Sequence, residues 1–168
     1  DFADIKKRLF AKVQSEGLLP IYSDIEAPLM EVLEHMSKNG ILLDTKYLAT
    51  LSKTMHKELE GLEAKIHGHA EMDFNINSPK QLGDVLFDKL GLKPKNQKKT
   101  AGGQRSTKES ELEKMKDDHP IIADILRYRE LQKLVSTYID NLPTFVGKDG
   151  RLHTTFIQTG AATGRMAT

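Results

Sequence analysis

Apolar residues recur at helical spacing in two long stretches of the chain. From Thr45 to about His67 they occupy every third or fourth position, at Leu48, Leu51, Met55, Leu59, Leu62 and Ile66. This spacing predicts an amphipathic helix with one narrow apolar face. A second helix with a broader apolar face begins at Pro120 and is closed by Pro143. Because each face needs a partner, we predict that the two helices pair antiparallel and form a long stalk.

Two shorter helices are predicted ahead of the stalk. Apolar positions at helical spacing mark the stretches from Phe2 to Glu16 and from Ile21 to Asn39. Pro28 lies inside the second pattern, where it either kinks the helix or marks its true first turn. The apolar run from Gly40 to Leu43 predicts a short buried connection. Asp44 then caps the first stalk helix.

After Pro143 the pattern changes from helix to strand. A turn is indicated at Gly147–Gly150, and the β-branched residues in Arg151–Gln158 predict a strand within a hairpin. The last nine residues are small and surround a single arginine. A strand with no visible partner, in a chain that starts at Asp1 without a methionine, leads us to expect a fragment of a longer protein.

Two further helix starts are predicted between the stalk helices. Ser78 at the N-cap and Gln81 three residues later form a capping box, and Ser106 with Glu109 repeats it. Since these starts lie between the stalk helices in sequence, residues 74–108 are expected to form a small helix–loop–helix tip at the far end of the stalk. The predicted fold class is therefore mainly α, with a short C-terminal β segment.

The tip concentrates the positive charge of the chain. Seven cations follow one another there without an intervening acid, at Lys89, Lys93, Lys95, Lys98, Lys99, Arg105 and Lys108. The net charge is only +1, and the chain without these seven holds 18 cations against 24 acids. A local basic patch beside two helix N-termini favours an anion with repeated charges, such as a phosphodiester backbone. The alternative is a solvated lysine loop without a ligand.

Signals for other chemistry are weak. The chain has no cysteine, so disulfides and thiolate metal sites are excluded, and it has no apolar run of the roughly 20 residues that a membrane span requires. The sequence lacks the common nucleotide-binding and metalloprotease motifs. The histidine pair at residues 67 and 69 has no third ligand at suitable spacing, and no paired carboxylates stand out. We expect a soluble, cytoplasmic protein with no membrane partner and no metal site in this chain.

Several blocks in register resemble one known family. Phe74–Leu82, Tyr128–Ile139 and Gly150–Thr154, followed by Ala162–Arg165, are similar to the A family of DNA polymerases, to which bacterial DNA polymerase I belongs. Leu18–Glu26 resembles the junction that ends the family's exonuclease-like domain. The resemblance covers nearly the whole chain in order.

The resemblance implies a division of the chain into three parts. Residues 1–20 would end the exonuclease-like domain or form a linker helix, residues 21–143 would be the thumb subdomain with its tip at 74–108, and residues 144–168 would be the first strands of an incomplete palm. The implied function is that of a DNA-binding thumb, which grips the primer–template duplex in a DNA-directed polymerase of replication and repair. The partners would be this duplex and the rest of the polymerase, its palm and fingers.

The resemblance also assigns residues to DNA. Contacts with the sugar–phosphate backbone are implied at the caps, in the loop and on the second stalk helix, at Asn75, Asn77, Ser78, Lys99, Thr100, Ser106, Arg129 and Lys133. Arg165 matches the family arginine that reaches the minor groove near the primer end, where all base pairs present similar acceptors.

Some positions depart from the family pattern. Val135 stands where lysine is common, and Gln132 and Met166–Ala167 replace the usual residues. The family's metal-binding aspartates lie beyond Thr168, so the chain alone is expected to be inactive, whereas the complete polymerase would use Mg²⁺. The competing hypothesis from another class is a non-catalytic helical interaction or scaffold module.

Overall fold

The fold is mainly α, as the sequence predicts. The computed structural model describes residues 1–93 and 105–168, and 66% of the chain is helical. The sheet found among these residues has two short strands, β1 (Ile41–Leu42) and β2 (Arg151–Leu152). The α-helices are α1 (Phe2–Ser15), α2 (Leu19–Ile21), α3 (Ala27–Asn39), α4 (Thr45–Ala70), α5 (Pro79–Gly83), α6 (Glu109–Leu112) and α7 (Pro120–Leu134). Single 3₁₀ turns occupy Glu113–Met115 and Leu142–Phe145.

The two long helices begin at capped residues. The Asp44 carboxylate accepts a hydrogen bond of 2.9 Å from the Tyr47 amide at the start of α4. At the start of α7, His119 Nδ1 accepts one of 3.2 Å from the Ile121 amide, and Pro120 occupies the first turn, where its missing N–H costs nothing. Both starts agree with the predicted ones.

Three π-helical turns widen the helices of the described part of the chain. They span Tyr22–Glu26, Asp84–Lys89 and Val135–Ile139, and each continues a preceding α-helix. In the last of them the Asp140 amide donates 3.0 Å to the carbonyl of Val135, five residues earlier. The first π turn leads into α3 without a break in the helical backbone, which runs from Leu19 to Asn39. Pro28 directly follows this π turn and lies inside the longer helix, so it does not mark the true first turn.

The chain divides into two compact units. The first unit comprises Asp1–Leu43 with Phe145–Thr168, and the second comprises Asp44–Thr144. The predicted boundaries at residues 20/21 and 143/144 concern the subdomains of a longer polymerase and stay predictions. None of the described helices combines the length with the apolar character that would let it cross a bilayer.

The second unit contains the predicted antiparallel helix pair. Near the beginning of α4, Ser52 Oγ and His56 Nε2 lie 2.7 and 2.9 Å from the carboxylate of Asp140, which follows α7 and its π turn. Near the end of α4, His69 lies 3.3 Å from Asp124, in the second turn of α7. The early part of one helix therefore faces the late part of the other, as predicted.

The core of the second unit lies along the later half of α4. Leu59, Leu62 and Ile66 are buried there, whereas Leu51 and Met55 are only partly buried. They pack with side chains from α7 and from the segments before it, at Leu82, Leu86, Phe87, Leu112, Met115, Ile121, Ile122, Ile125 and Leu131. The segments that flank residues 94–104 are therefore anchored by apolar burial.

The structure of the first unit differs from two predictions about the C-terminal strand, its length and its lack of a partner. β2 has two residues rather than the eight predicted, and its antiparallel partner is β1, with Ile41 opposite Leu152. The strand partner is thus present in the chain. A bridge between Val146 and Leu152 forms the predicted hairpin. The expectation that residues 40–43 are buried is also wrong, since Ile41 is 62% exposed. Pairing with β2 satisfies the backbone of this short run without covering its side chains.

A histidine joins the hairpin to the end of α3. His153 Nδ1 lies 2.8 Å from the carbonyl oxygen of Ser37, and its Nε2 lies 2.9 Å from the Asp149 carboxylate. Both partners only accept, so the geometry favours the imidazolium form. The bond to Ser37, and then the one to Asp149, raise the pKa of His153, while the His153 bond lowers the pKa of Asp149. Gly40 has a φ of +61°, and a Cβ there would lie 2.8 Å from the His153 ring.

We expect Asp149→Asn to lower the pKa of His153, because the substitution removes the negative partner of the imidazolium. The raised pKa of His153 in the folded state means that its stabilisation is complete below pH about 6.5 and is lost as pH rises through the folded value. For Asp149, the lowered pKa gives stabilisation above pH about 4 that is lost as pH falls through the folded value.

The measurement is an NMR titration of the His153 ring protons. Asp140→Asn is the control, because Asp140 pairs with His56 in the other unit. A His153 midpoint that is the same in the parent chain and in Asp149→Asn would contradict the assignment.

Candidate nucleic-acid interface

The residues that precede α5 form a fixed polar turn. Asn75 Oδ1 accepts 2.9 Å from the Asn77 amide, and the Asn75 carbonyl accepts 3.0 Å from the Ser78 amide. This is an Asx-type turn. Ile76 is 2% exposed and anchors it, whereas Asn75 and Asn77 are exposed. The turn therefore presents two amide side chains to solvent from a rigid backbone.

The first capping box is confirmed in one half. Ser78 Oγ accepts from the Gln81 amide at 3.4 Å, as an N-cap should. The Gln81 side chain, however, accepts 2.7 Å from the amide of Asn75 rather than from that of Ser78. Gln81 therefore links the Asx turn to α5 through the Asn75 amide, and the second hydrogen bond of the capping box, from the Ser78 amide to Gln81, does not form.

The second predicted cap is wrong. α6 begins at Glu109 with Lys108 as its N-cap, and no side chain caps it. Ser106 Oγ accepts 3.3 Å from the Lys108 amide instead, and Ser106 is 5% exposed. The segment is held inward by its own burial and by a contact from α7, which moves the helix start to a later residue. A DNA contact at Ser106 stays a prediction.

The contact from α7 to the segment ahead of α6 is made by Arg129. Its Nη1 donates 2.5 Å to the carbonyl of Thr107, which is itself buried. Burial lowers the pKa of Arg129, and the nearby Glu109 carboxylate opposes this shift. The arginine guanidinium is not deprotonated in proteins. Arg129 therefore keeps its positive charge while one of its five donors binds the protein backbone.

Lys133 lies one turn further along α7 and is exposed. With Arg129 it lines an open groove of about 430 Å³, together with Glu109, Glu130 and Tyr138. Two cations thus occur on one face of α7, and two carboxylates line the same groove.

Two cations of the basic run bind groups of the protein itself. Arg105 pairs with the Asp88 carboxylate and lies over the Phe87 ring at 4.7 Å, and Lys89 donates 3.2 Å to the Glu71 carbonyl. Lys93 and Lys108 are exposed. The predicted contacts at Lys99 and Thr100 fall in residues 94–104, outside the described residues. The acid that pairs with Arg105 stands one residue ahead of the run, so counting within the run does not reveal it.

Arg165 belongs to the first unit, whereas the other described candidates belong to the second. It is exposed and follows Gly164, whose φ is +77°. A bridge between Ile157 and Ala167 fixes the ends of this segment.

Comparison with known proteins decides the family. The family model of DNA polymerase family A matches residues 45–168. The chain belongs to DNA polymerase family A. It is 46% identical over 171 residues to the thermostable DNA polymerase I of Thermus aquaticus, with 98% of this chain and 20% of that protein covered. It is 48% identical over 152 residues to DNA polymerase I of Helicobacter pylori, with 90% and 16% covered.

A solved structure similar to this chain has the same fold. The POL domain of Pol1 from M. smegmatis, in complex with DNA primer-template and dNTP, matches 98% of this chain with a TM-score of 0.86 and 32% sequence identity. This chain covers 29% of that structure's chain. It thus spans about a fifth of the length of the Thermus aquaticus relative and under a third of the solved domain.

One residue of this family A chain escaped the sequence reasoning. Tyr128 in α7 is 7% exposed, and its hydroxyl lies 3.4 Å from Asn77 Nδ2. In the sequence it stands out only as the first residue of the block Tyr128–Ile139 that resembles the family. The signal that could have found it is a tyrosine at a core position, because a buried phenol needs a polar partner.

The described residues hold no group of three or more histidine, cysteine or acidic side chains that could bind a metal ion. Residues 94–104 contain none of these residue types. His67 and His69 lie in the last turn of α4, and both contact groups of the protein. His67 Nε2 lies 2.9 Å from the Phe74 carbonyl, and His69 faces Asp124.

Proposed function

We propose that this chain is the DNA-binding thumb of an A-family DNA polymerase, joined to the first strands of the palm. The observation that carries the proposal is the rigid Asx turn at Asn75–Ser78, which holds exposed side-chain amides on a fixed backbone at a helix start. Amide donors in a fixed geometry suit phosphate oxygens, which carry no sequence information. The similarity to a POL domain solved with DNA primer-template supports the same assignment.

The contacts divide by their chemistry. Asn75, Asn77 and Ser78 supply neutral donors, and Lys133 supplies an exposed charge that attracts phosphate without reading bases. Lys99 and Thr100 extend the backbone contacts in the proposal, as the resemblance implies. Ser106 and Arg129 act at the second tip segment, where Arg129 retains donors beyond the one that Thr107 accepts.

Arg165 has a different proposed role. Its planar guanidinium can donate to minor-groove acceptors that all Watson–Crick pairs present at similar positions. It would therefore act on the primer end rather than on the sugar–phosphate backbone.

DNA synthesis in this proposal needs more than this chain. Mg²⁺ ions supply the Lewis acid of phosphoryl transfer, and the resemblance places the aspartates that bind them beyond Thr168. This chain's own residues bind and orient the duplex, while palm and fingers complete the reaction site. Replication and repair synthesis are the processes that such an enzyme serves.

We expect duplex binding by the chain to weaken steeply with salt and equally for unrelated sequences. If the thumb engages about five phosphates, log affinity should fall with log salt at a slope of about −4 to −5, because bound phosphates release counterions. Lys133→Ala should reduce the slope by about one. The measurement is a fluorescence-anisotropy titration of labelled primer–template at several salt concentrations.

Lys53→Ala is the matched control for this titration. Lys53 is an exposed lysine near the beginning of α4, whereas the tip segments follow the end of that helix. Its replacement should leave affinity and slope nearly unchanged. A salt-independent affinity in the parent chain would contradict phosphate binding and would support the helical scaffold instead.

A further inference from the structure

The phenol hydroxyl of Tyr128 is a buried polar group that contacts the side chain of Asn77. Tyr128 is 7% exposed among the apolar side chains of the second unit, and its hydroxyl faces the side-chain amide of Asn77 at 3.4 Å. Burying a hydroxyl is unfavourable unless it finds a partner, and phenylalanine would fill nearly the same volume without this cost. We therefore expect the function of the hydroxyl to be its contact with Asn77.

The Asx turn receives support from both long helices. Within the turn, the Asn77 amide is held by Asn75. From α4, His67 Nε2 lies 2.9 Å from the Phe74 carbonyl just before the turn. From α7, Tyr128 reaches the Asn77 side chain. Asn77 Nδ2 donates one of its two hydrogens to the Tyr128 hydroxyl and keeps the other for solvent, so this side chain is fixed from α7.

The next residue of α7 supports the other tip segment. Arg129 donates to the Thr107 carbonyl just ahead of α6, as described above. Two successive residues of α7 therefore reach the two segments that lie on either side of residues 94–104. This arrangement sets the position of each segment relative to the same helical turn.

We propose that Tyr128 is a positioning residue for DNA binding, which orients the Asn77 amide toward a backbone phosphate without contacting DNA itself. The proposal rests on the thumb function proposed above. It assigns to Tyr128 no charge and no base contact. Its removal therefore weakens binding by misorienting Asn77 and leaves the number of neutralised phosphates unchanged.

The test is Tyr128→Phe in the 168-residue chain, measured by anisotropy with labelled primer–template. Loss of one hydrogen bond predicts a rise in Kd of about three- to tenfold. The salt slope should stay at the parent value, because no cation is lost. Tyr47→Phe is the control, since Tyr47 is 62% exposed in the first turn of α4 and its loss of a hydroxyl should leave Kd unchanged.

A double-mutant cycle separates positioning from general loss of structure. Once Asn77→Ala is present, adding Tyr128→Phe should change Kd by less than twofold, because the group that Tyr128 positions is gone. Independent effects that multiply would overturn the proposal. An unchanged Kd in Tyr128→Phe would also overturn it.

The outcomes also separate this proposal from the function on which it rests. If the parent chain binds duplex and Lys133→Ala lowers the salt slope while Tyr128→Phe has no effect, only the positioning role fails. If the parent chain binds no duplex at all, the thumb function fails and the positioning role fails with it.

Discussion

Supplied with primer–template, Mg²⁺ and all four nucleotides, the 168-residue chain is expected to add no nucleotide to the primer. Two-metal phosphoryl transfer requires carboxylates that hold two ions about 4 Å apart. The described residues hold no group of three or more histidine, cysteine or acidic side chains that could bind a metal ion, and the resemblance places the family's metal-binding aspartates beyond Thr168. We therefore expect the chain to orient a duplex without transferring a nucleotide.

The measurement is primer extension resolved on a denaturing gel. The chain should be present above the Kd obtained by anisotropy, so that a failure to extend is not a failure to bind. A complete DNA polymerase I of the family serves as the positive control under the same conditions. Template-directed primer extension by the purified chain would contradict this prediction.

The second large effect is expected on stability, from Leu131→Ala. Leu131 is fully buried in α7, within the core that α4 and the tip segments share. Truncating a fully buried leucine removes its transfer free energy and leaves a cavity, which together lower the free energy of unfolding by about 2–5 kcal/mol. Urea denaturation followed by circular dichroism measures this difference.

Leu134→Ala provides a matched comparison in the same helix. Leu134 lies three residues further on and is 39% exposed, so it leaves a smaller cavity. Its substitution should lower the free energy of unfolding by no more than about 1 kcal/mol. Equal losses for the two variants would mean that α7 does not bury Leu131 against the rest of the unit.

The helix pair could be predicted because its signal is local and repeated. Apolar residues such as Leu59, Leu62 and Ile66 recur at the spacing of one helix face, and packing against α7 then buries them. The pairing of β1 with β2 has no such signal. Each strand has two residues, and the residues that meet are separated by more than a hundred positions. Two residues are too few to show a period.

The predicted N-cap at Ser106 is wrong for a different reason. Ser106 and Glu109 match the capping-box pattern, but Arg129, from a distant part of the chain, binds the carbonyl of Thr107 and holds the segment inward. A long-range contact overrides local propensity there. The candidate DNA contacts could be named from the resemblance, whereas the contact on which the proposed role of Tyr128 rests needs the folded chain, since 51 positions separate it from Asn77.

The π turns affect how the chain tolerates a change in its length. At Val135–Ile139 a bond from Asp140 to Val135 encloses one more residue than an α-helical turn does. Deleting one residue there can restore the ordinary four-residue bond and leave the preceding helix in place. In α4, the same deletion rotates every later side chain by about 100°. Leu62 and Ile66 would then leave the core. Loss of a single codon is therefore best tolerated where the helix is already wide.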